Sequence, residues 1–323
     1  MTGFAASSPG SSSAPVRGDT GVAVVFNPCA GGGRAVREWP EIARAIRQEI
    51  GEFTLLESSG PGHIQRLVQD ALRQGYARIV AIGGDGTIYE AVNGFFDGST
   101  TINPMASLAI IPMGTGCDFV RTIGVPKGLV AVRLIGKKDT RRVDVGRVTL
   151  RLPDGGEGVR YFINVADAGM GGVVAQRANQ SSKRLGGFIT FFGSVIATLA
   201  SYRNCNLAME IDGVRVEQRC RDLIIANGSY YGGGMKVAPE AALDSGVFEV
   251  FVIGDVSVPR AVIKLPKLYL GRLKGDPDVK YFRARRVRVQ SEEDVLLNLD
   301  GEHPGELPAT FEVVPSAIRL VVE

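Results

Sequence analysis

The amino-acid sequence predicts an α/β domain with a parallel sheet, followed by a second domain built as an antiparallel β-sandwich. Three observations support this fold class. The chain has 323 residues, which is long enough for two cores of ordinary size. From residue 21 to about residue 135, continuous apolar strands alternate with helical patterns, as in a parallel sheet covered on both faces. After about residue 140, short strands separated by Gly, Asp and Pro turns dominate, which indicates a sandwich or barrel.

The first half contains four successive strand–helix units. Each apolar strand leads through a loop into a segment whose apolar residues recur at helical spacing. The predicted strands are 21–26, 53–58, 78–84 and 108–112, and the segments that follow them are 35–50, 63–75, 85–96 and 113–124. In a parallel sheet the loops after these strands meet at one edge, where ligands bind.

The second half contains nine short strand patterns and two helical stretches. The strand patterns are 141–150, 160–169, 205–212, 221–228, 246–254, 286–291, 295–302, 309–315 and 317–323, and the helical stretches lie near 186–202 and 258–273. In 186–202, large residues such as Phe188, Phe192 and Leu199 recur at helical spacing opposite Thr and Ser. We expect an amphipathic helix that packs on the core, with a lipid-facing role as the alternative.

The domain boundaries follow from these patterns. Residues 1–19 are rich in Ser, Ala, Pro and Gly and lack the apolar run of a signal peptide, so we expect a disordered leader. Residues 20–140 are expected to form the α/β domain and residues 141–315 the sandwich. The C-terminal strand near 316–323 is a candidate to return to the first domain.

The composition excludes several classes of protein. A net charge of +3 is too small to indicate a nucleic-acid partner, so none is expected. The four cysteines form no CxxC pair, which argues against a zinc site or a disulfide framework and suits a reducing cytosol. With only two histidines, acid–base chemistry has to depend on carboxylates. The 42 glycines, nearly twice the usual share of about 7%, indicate many tight turns or backbone sites that approach a ligand.

Three glycine-rich loops each follow an apolar strand. They are Asn27 to Arg34 (NPCAGGGR), Gly83 to Thr87 (GGDGT) and Pro112 to Asp118 (PMGTGCD). Glycine lets backbone N–H groups close on phosphate oxygens, and the helix that begins after the second loop adds its dipole. One such loop is weak evidence because turn glycines are common. Three loops on consecutive units of one sheet predict a phosphate-rich ligand.

Two familiar phosphate-binding motifs are absent from these loops. No Lys-Ser or Lys-Thr follows any of them in the register of GxxxxGK[ST], which excludes a P-loop. The dinucleotide fingerprint GxGxxG fails after Gly31 because position 36 is Val36. The sequence therefore excludes a Walker ATPase and an ordinary NAD enzyme.

Acidic residues accompany these loops at two places. Asp85 lies inside the second loop, where it either caps the following helix or acts as a carboxylate that positions Mg²⁺ or accepts a proton. Asp300 and Glu302 end a late apolar strand in the segment NLDGE. Asp-Gly is a strong hairpin signal, so a plain turn is the alternative. With the glycine loops present, we expect these two carboxylates to face the loops across a cleft.

The motifs NPxxGGGR, GGDGTxxExxNG, PxGTGxDFxR, the glycine run Tyr231–Gly234 with Pro239, and DGE occur in this order over nearly the whole chain. The sequence thereby resembles the diacylglycerol-kinase catalytic family, which includes bacterial diacylglycerol and phosphatidylglycerol kinases, sphingosine kinases and ceramide kinases. The resemblance implies a first domain like that of NAD kinases and diacylglycerol kinases, which binds ATP. It also implies a sandwich domain that binds the lipid substrate.

The resemblance also implies roles for individual residues. Glu302 matches the proton acceptor, with Asp300 in the same network, and Asp85 is expected to help them in catalysis. ATP and Mg²⁺ are the expected cofactors. The residues expected to contact the nucleotide are Asn27, Gly31, Gly32, Gly33, Ser58, Gly84, Asp85, Gly86, Thr87, Glu90, Gly114 and Thr115.

The sequence departs from the family pattern at two positions. Relatives usually read GTGND where this chain has Cys117, which puts the Asn hydrogen bond in doubt. Many relatives read DDG where this chain has Asp244, Ser245 and Gly246. The structural Mg²⁺ of some family members is therefore in doubt, with Asp244 as the candidate metal ligand.

The function expected from the resemblance is transfer of the ATP γ-phosphate to a hydroxyl of a membrane lipid, with diacylglycerol as the first candidate. Sphingoid-base, ceramide or phosphatidylglycerol kinase activity, NAD kinase activity and a non-catalytic lipid- or nucleotide-binding regulator are the alternatives. The stretch 264–274 mixes basic and apolar residues and either lies against anionic lipid or is a solvated helix face. We expect a cytoplasmic protein in peripheral contact with the inner membrane face. The oligomeric state is open, with a homodimer as one alternative.

Overall fold

The computed structural model describes residues 21–114, 116–180, 195, 198–199 and 201–322. Three sequence predictions fall on other residues. They are the leader at 1–19, most of the amphipathic stretch near 186–202, and the nucleotide contact of Thr115, and these three lie outside the described residues.

The first half of the chain builds a parallel sheet from the predicted apolar strands. The strands of this half are β1 (Val22–Phe26), β2 (Thr54–Glu57), β3 (Arg78–Gly83), β4 (Phe96–Asp97), β5 (Thr100–Thr101) and β6 (Ser107–Pro112). Of these, β4 and β5 form a small separate hairpin. The parallel order is β6-β3-β1-β2. Strands β1, β3 and β6 are buried almost throughout, whereas the edge strand β2 is mostly exposed.

Helices connect these strands and cover the sheet. They are α1 (Ala30–Ile50), α2 (His63–Arg73), α3 (Asp85–Gly94), α4 (Asp118–Ile123) and, after a 3₁₀ turn at Gly128–Ala131, α5 (Val132–Ile135). In α2, the buried residues Ile64, Val68, Ala71 and Leu72 recur at helical spacing and form the apolar face that packs on the core.

The second half is largely antiparallel. Its strands are β7 (Arg141–Arg151), β8 (Glu157–Phe162), β9 (Val165–Gly169), β10 (Cys205–Ile211), β11 (Val214–Ala226), β12 (Phe248–Gly254), β13 (Val279–Ala284), β14 (Arg286–Gln290), β15 (Leu297–Leu299) and β16 (Glu306–Leu320), and its helices with given bounds are α6 (Met170–Gln180) and α7 (Val258–Tyr269). A second core lies within this half, where Phe162 stacks on Phe248 with ring centroids 5.5 Å apart. The predicted helix near 258–273 is present as α7, which ends four residues earlier.

The long strand β16 joins the two halves. It pairs with β7 and β14 in antiparallel fashion, and its last residues pair in parallel with β6, where Arg319 lies opposite Ser107. Hydrogen bonding therefore runs from β13 at one edge to β2 at the other. The predicted fold class, an α/β domain with a parallel sheet and a β-sandwich domain, is confirmed. The exact domain boundaries stay a prediction.

Among the described residues, no helix combines the length and the apolar character needed to cross a membrane.

Candidate active site

The first glycine loop leaves β1 and turns into α1 through three left-handed residues. Gly31, Gly32 and Gly33 have φ of 61°, 68° and 85°, a region that side chains rarely adopt. A Cβ on Gly31 would lie 2.6 Å from the backbone oxygen of Met113, so the first loop packs directly on the third. The Asn27 amide Nδ2 donates a hydrogen bond of 3.1 Å to Thr87 Oγ1, which joins the first loop to the second.

The second and third loops meet backbone to backbone. A Cβ on Gly114 would lie 2.5 Å from Gly84 Cα, so Gly114 has no room for a side chain, and a Cβ on Gly84 would lie a tight 3.2 Å from Gly114 Cα. The N–H of Met113 donates a hydrogen bond of 2.8 Å to the Gly83 carbonyl and holds the two loops in register. The three glycine loops predicted from the sequence therefore converge at the carboxyl ends of β1, β3 and β6.

Asp85 joins the second loop to α4. Its carboxylate Oδ1 accepts the Phe119 backbone N–H at 3.4 Å, in the first turn of α4. The N-cap of its own helix α3 is Gly84, and no side chain caps that helix, so the simple capping interpretation is wrong. Burial, followed by the nearby Asp118 carboxylate, raises the pKa of Asp85 to about 6.

Cys117 occupies a left-handed position in the third loop, with φ of 54°. Asn tolerates this conformation better than most residues, which gives a physical reason for the Asn of the usual family pattern. Here the Cys117 thiol donates a hydrogen bond of 3.2 Å to the Gly114 carbonyl, so a weaker donor holds the loop. Burial raises the pKa of this thiol to about 11, which keeps it protonated at neutral pH.

Asp300 is locked by backbone N–H groups. Its carboxylate accepts hydrogen bonds from Ile163, Asn164 and Val165 at 2.8, 2.9 and 3.0 Å, and its own φ is 53°. Burial raises the pKa of Asp300 to about 7, partly offset by these hydrogen bonds. Asp300 thus fixes the DGE turn to the segment between β8 and β9.

Glu302 reaches the second glycine loop from the opposite half of the chain. Its backbone N–H and C=O bond to Leu299 at 2.9 and 2.8 Å, so the segment is a tight turn as the Asp-Gly signal predicts. A Cβ on Gly86 would lie only 2.6 Å from the Glu302 carboxylate oxygen Oε1. The Glu302 carboxylate therefore lies against the loop predicted to cradle phosphate, which brings an acidic group to the glycine cluster.

Asp118, to which the sequence analysis assigned no role, links two of the glycine-rich segments. Its carboxylate accepts hydrogen bonds from the Gly233 backbone N–H and from the Arg121 guanidinium at 2.7 and 2.6 Å. These bonds tie the glycine run around Gly233 to the third loop. The DFxR spacing, which places Asp and Arg three apart on one helix face, was the signal available in the sequence.

Two residues predicted to contact the nucleotide have hydrogen-bond partners within the protein. Both carboxylate oxygens of Glu90 accept backbone N–H groups, from Gly62 at 2.8 Å and Ile64 at 3.0 Å. Glu90 thereby caps α2, whose N-cap residue Gly62 has no side chain to do so. The Ser58 hydroxyl donates to the Gly60 carbonyl at 3.1 Å. The geometry assigns both side chains to holding this loop, and their contact with nucleotide stays a prediction.

The surroundings of Asp244 do not fit a cation site. Both of its carboxylate oxygens bind the Arg141 guanidinium, at 2.7 and 3.2 Å, and about half of each side chain is exposed. This hydrogen bonding lowers the pKa of Asp244. Within the described ranges, no three His, Cys, Asp or Glu side chains form a group that could hold a metal ion. The predicted metal role of Asp244 therefore has no support in the structure.

The arrangement defines a class of protein: a two-domain, NAD-kinase-like fold in which glycine loops face a late acidic turn. Two family models match the chain. One is described as the diacylglycerol kinase catalytic domain and matches residues 21–148. The other is described as the YegS C-terminal NAD kinase beta sandwich-like domain and matches residues 164–322.

Curated relatives match nearly the whole chain. A diacylglycerol kinase of Bacillus subtilis (strain 168) is 26% identical over 301 residues, covering 93% of this chain and 95% of the relative. A diacylglycerol kinase of Staphylococcus carnosus (strain TM300) is 27% identical over 293 residues, covering 89% of this chain and 90% of the relative. These matches support the same family over about nine-tenths of the chain.

Solved structures support the fold. A crystal structure of a diacylglycerol kinase from Bacillus anthracis str. Sterne superposes with a TM-score of 0.69 at 21% identity, covering 94% of this chain and 97% of that chain. Yeast NADH kinase in complex with NADH superposes with a TM-score of 0.50 at 13% identity, covering 95% of this chain and 84% of that chain. The chain belongs to the diacylglycerol kinase catalytic-domain family, and it is accordingly an ATP-dependent kinase.

Proposed function

We propose that the protein transfers the γ-phosphoryl group of ATP to a hydroxyl of a membrane lipid, with diacylglycerol as the acceptor and phosphatidic acid as the product. The names of the relatives support this acceptor, because proteins called diacylglycerol kinase match 93% and 89% of the chain. The observation that carries the proposal is the contact between Glu302 and Gly86, which joins an acidic group to the glycine loops.

The first and second glycine loops bind the phosphates in the proposed mechanism. Backbone N–H groups around Gly31–Gly33 and Gly84–Thr87 bind the phosphates of ATP, and the N-terminal dipole of α3 favours their negative charge. Mg²⁺ arrives with the nucleotide as part of the substrate and neutralises charge on the phosphate oxygens. The missing side chains at Gly84 and Gly114 let the second and third loops pack backbone to backbone beside the proposed phosphate site.

Glu302 supplies the acid–base part. The lipid hydroxyl attacks the γ-phosphorus, the bond between the γ-phosphorus and the β–γ bridging oxygen breaks, and ADP leaves. The proton of the hydroxyl passes to the Glu302 carboxylate. Asp300 holds the turn that carries Glu302, since its own oxygens already accept three backbone hydrogen bonds. Asp85 keeps α4 and the third loop in place through Phe119.

Helix α7 supports the proposed contact with the membrane. None of its residues is buried, and Ile263, Val262 and the adjacent Leu270 are 75%, 47% and 62% exposed. Lys264 and Lys267, for which lipid contact was one of two alternatives, both pair with the buried Asp276. The apolar face of α7 is therefore the better candidate for lipid contact.

We propose a cytoplasmic protein that touches the inner membrane face through α7. Homodimer formation stays a prediction.

A lipid panel tests the proposed function. Purified protein is incubated with Mg²⁺, ATP and mixed micelles that each contain dioleoylglycerol, sphingosine, ceramide or phosphatidylglycerol, and the product is identified by its mass. Phosphatidic acid from dioleoylglycerol is the expected product, and Glu302→Gln should form it about 10²- to 10⁴-fold more slowly. Phosphorylation of another lipid, or of NAD in a parallel reaction, would replace diacylglycerol as the acceptor. No turnover with any acceptor would favour a non-catalytic regulator.

A further inference from the structure

Two buried acids lie outside the mechanism described above. Asp167 on β9 has 0% of its surface exposed and Asp222 on β11 has 3%. Gly169 pairs with Asp222 and Ile224 pairs with Asp167, which puts both acids on the same face of the sheet. In the described part of the chain, oxygen Oδ1 of each carboxylate has no hydrogen-bond partner. Such a pair destabilises the fold, so its presence calls for a compensating role.

The other oxygen of Asp167 is connected by hydrogen bonds to the turn that carries Asp300 and Glu302. Asp167 Oδ2 accepts a hydrogen bond of 2.6 Å from the Asn298 side-chain amide. The Asn298 amide oxygen in turn accepts the Gly301 backbone N–H at 2.8 Å. A carboxylate accepts hydrogen bonds, so Asp167 requires the amide nitrogen of Asn298 on its side and directs the amide oxygen towards Gly301. Gly301 immediately precedes Glu302.

We propose that Asp167 is a positioning residue for phosphoryl transfer. Acting through Asn298, it holds the Gly301 peptide in the orientation that places the Glu302 carboxylate against Gly86. This inference rests on the proposed function, in which Glu302 accepts the proton of the lipid hydroxyl. It adds a buried network behind the turn to the residues that the family motifs identify.

The hydrogen bonds of Asp300 do not restrain Gly301, whereas Asn298 does. Asp300 fixes its own position through the backbone of 163–165, but the next residue is Gly301 with φ of 95°, which can adopt many conformations. The Asn298 hydrogen bond restrains the N–H of that glycine directly. Without it, the turn keeps the two backbone hydrogen bonds between Leu299 and Glu302, but the peptide before Gly301 can tilt and shift the Glu302 carboxylate. A displacement of about 1 Å lowers a rate by up to about 100-fold.

A purely structural role for the acid pair makes a different prediction. Helix α6 begins at Met170, and a Cβ on Gly171 would lie 2.2 Å from Asp167 Oδ1, so the acids also lie at the start of that helix. If they served only to support α6, substitutions would lower stability without a selective effect on kcat. Both acids would then behave alike, although the hydrogen bond to Asn298 is made by Asp167.

Four variants of the full chain separate these roles, assayed with dioleoylglycerol in mixed micelles. Asn298→Ala and Asp167→Ala are expected to lower kcat by about 10- to 100-fold, with the KM for ATP within about twofold of the native value. Asp167→Asn keeps an acceptor oxygen for Asn298 and should stay within about threefold of native kcat. Asp222→Asn removes an equally buried carboxylate and is the matched control, expected within about twofold.

The double variant supplies the decisive signature. Because both residues act through one hydrogen-bonded chain, Asp167→Ala combined with Asn298→Ala should be no slower than Asn298→Ala alone. If Asp167→Ala does not fold, the comparison of Asp167→Asn with Asn298→Ala decides. Native kcat in Asn298→Ala, or equal losses in Asp167→Asn and Asn298→Ala, would overturn the proposal.

Glu302→Gln is measured in parallel to separate the two hypotheses. If Glu302→Gln retains activity, the hypothesis that Glu302 accepts the proton is wrong. An inactive Glu302→Gln beside a fully active Asn298→Ala removes the positioning role alone.

Discussion

Replacing Gly86 with alanine tests whether the position of the Glu302 carboxylate sets the rate. Gly86 lies in the first turn of α3, and its φ is not among the positive values of the chain, so alanine can adopt its backbone conformation. The added methyl group meets the end of a flexible side chain, which can move aside at little energetic cost. We therefore expect Gly86→Ala to fold normally, with alanine's higher helix propensity as a small gain.

The size of the effect follows from one distance. The alanine Cβ would lie 2.6 Å from Glu302 Oε1, whereas ordinary contact begins near 3.4 Å, so the carboxylate has to retreat by about 0.8 Å (3.4 − 2.6). A misplacement of about 1 Å lowers the rate by up to about 100-fold. That factor corresponds to about 2.7 kcal/mol in activation free energy.

The assay measures kcat, the KM for ATP and the thermal midpoint in the same preparation. Gly156→Ala is the control, because Gly156 is exposed in the turn between β7 and β8 and has no positive φ. A rescue variant sharpens the test. Glu302→Asp withdraws the carboxylate by one methylene, so Gly86→Ala should cost much less in that background than in the native chain.

Two results would refute the reasoning. A folded Gly86→Ala protein with native kcat would mean that the carboxylate position is not critical. A loss confined to the KM for ATP, with no rescue by Glu302→Asp, would mean that Gly86 serves only the approach of the nucleotide.

Four further outcomes follow from the contacts described above. Glu302→Gln should lower kcat by about 10²- to 10⁴-fold without loss of the thermal transition, and a smaller loss would argue against a proton acceptor. Asp244→Ala breaks an exposed ion pair with Arg141, so unfolding free energy should fall by no more than about 1 kcal/mol, and the Mg²⁺ dependence of activity should not change. The pKa of Asp300 is about 7 in the folded chain, against an ordinary value of 3.8. Between these two pH values the native state therefore binds more protons than the unfolded state. As pH rises from about 4 to 7, the contribution of Asp300 to the free energy of unfolding falls by about 4 kcal/mol. Denaturant titrations across that window should show a shallower slope for Asp300→Asn, and an unchanged slope would contradict the assignment. Ile263→Glu should reduce co-flotation with phosphatidylglycerol-containing vesicles several-fold while the thermal midpoint stays constant, whereas unchanged flotation would remove α7 from the membrane contact.

The features that could be predicted from the sequence are those with local signals. Buried parallel strands appear as continuous apolar runs, which is why β1, β3 and β6 were predictable. Their glycine loops then had to meet at one sheet edge, because parallel strands end on the same side. The close approach of the Gly84 and Gly114 backbones shows that the second and third loops do meet there.

The features that could not be predicted depend on partners far apart in the chain. Nothing in the sequence around Asp85 indicates that its carboxylate accepts the Phe119 N–H. For this reason the interpretation of Asp85 as the N-cap of α3 was wrong. Glu90 matches a family motif, yet its oxygens cap α2, which begins 27 residues earlier. A glycine at the N-cap has no side chain to accept the first N–H groups of the helix, and only the folded chain reveals which residue accepts them.

The acidic turn shows why its two carboxylates have different roles although they stand two residues apart. A carboxylate that already accepts three backbone N–H groups cannot also follow a proton that moves during reaction, because each of those hydrogen bonds would have to lengthen. Asp300 is therefore suited to fixing geometry. Glu302 lies at the end of the same turn, and its oxygen Oε1 lies against Gly86 in the loop predicted to bind phosphate. This difference is the reason for proposing Glu302, and not Asp300, as the proton acceptor.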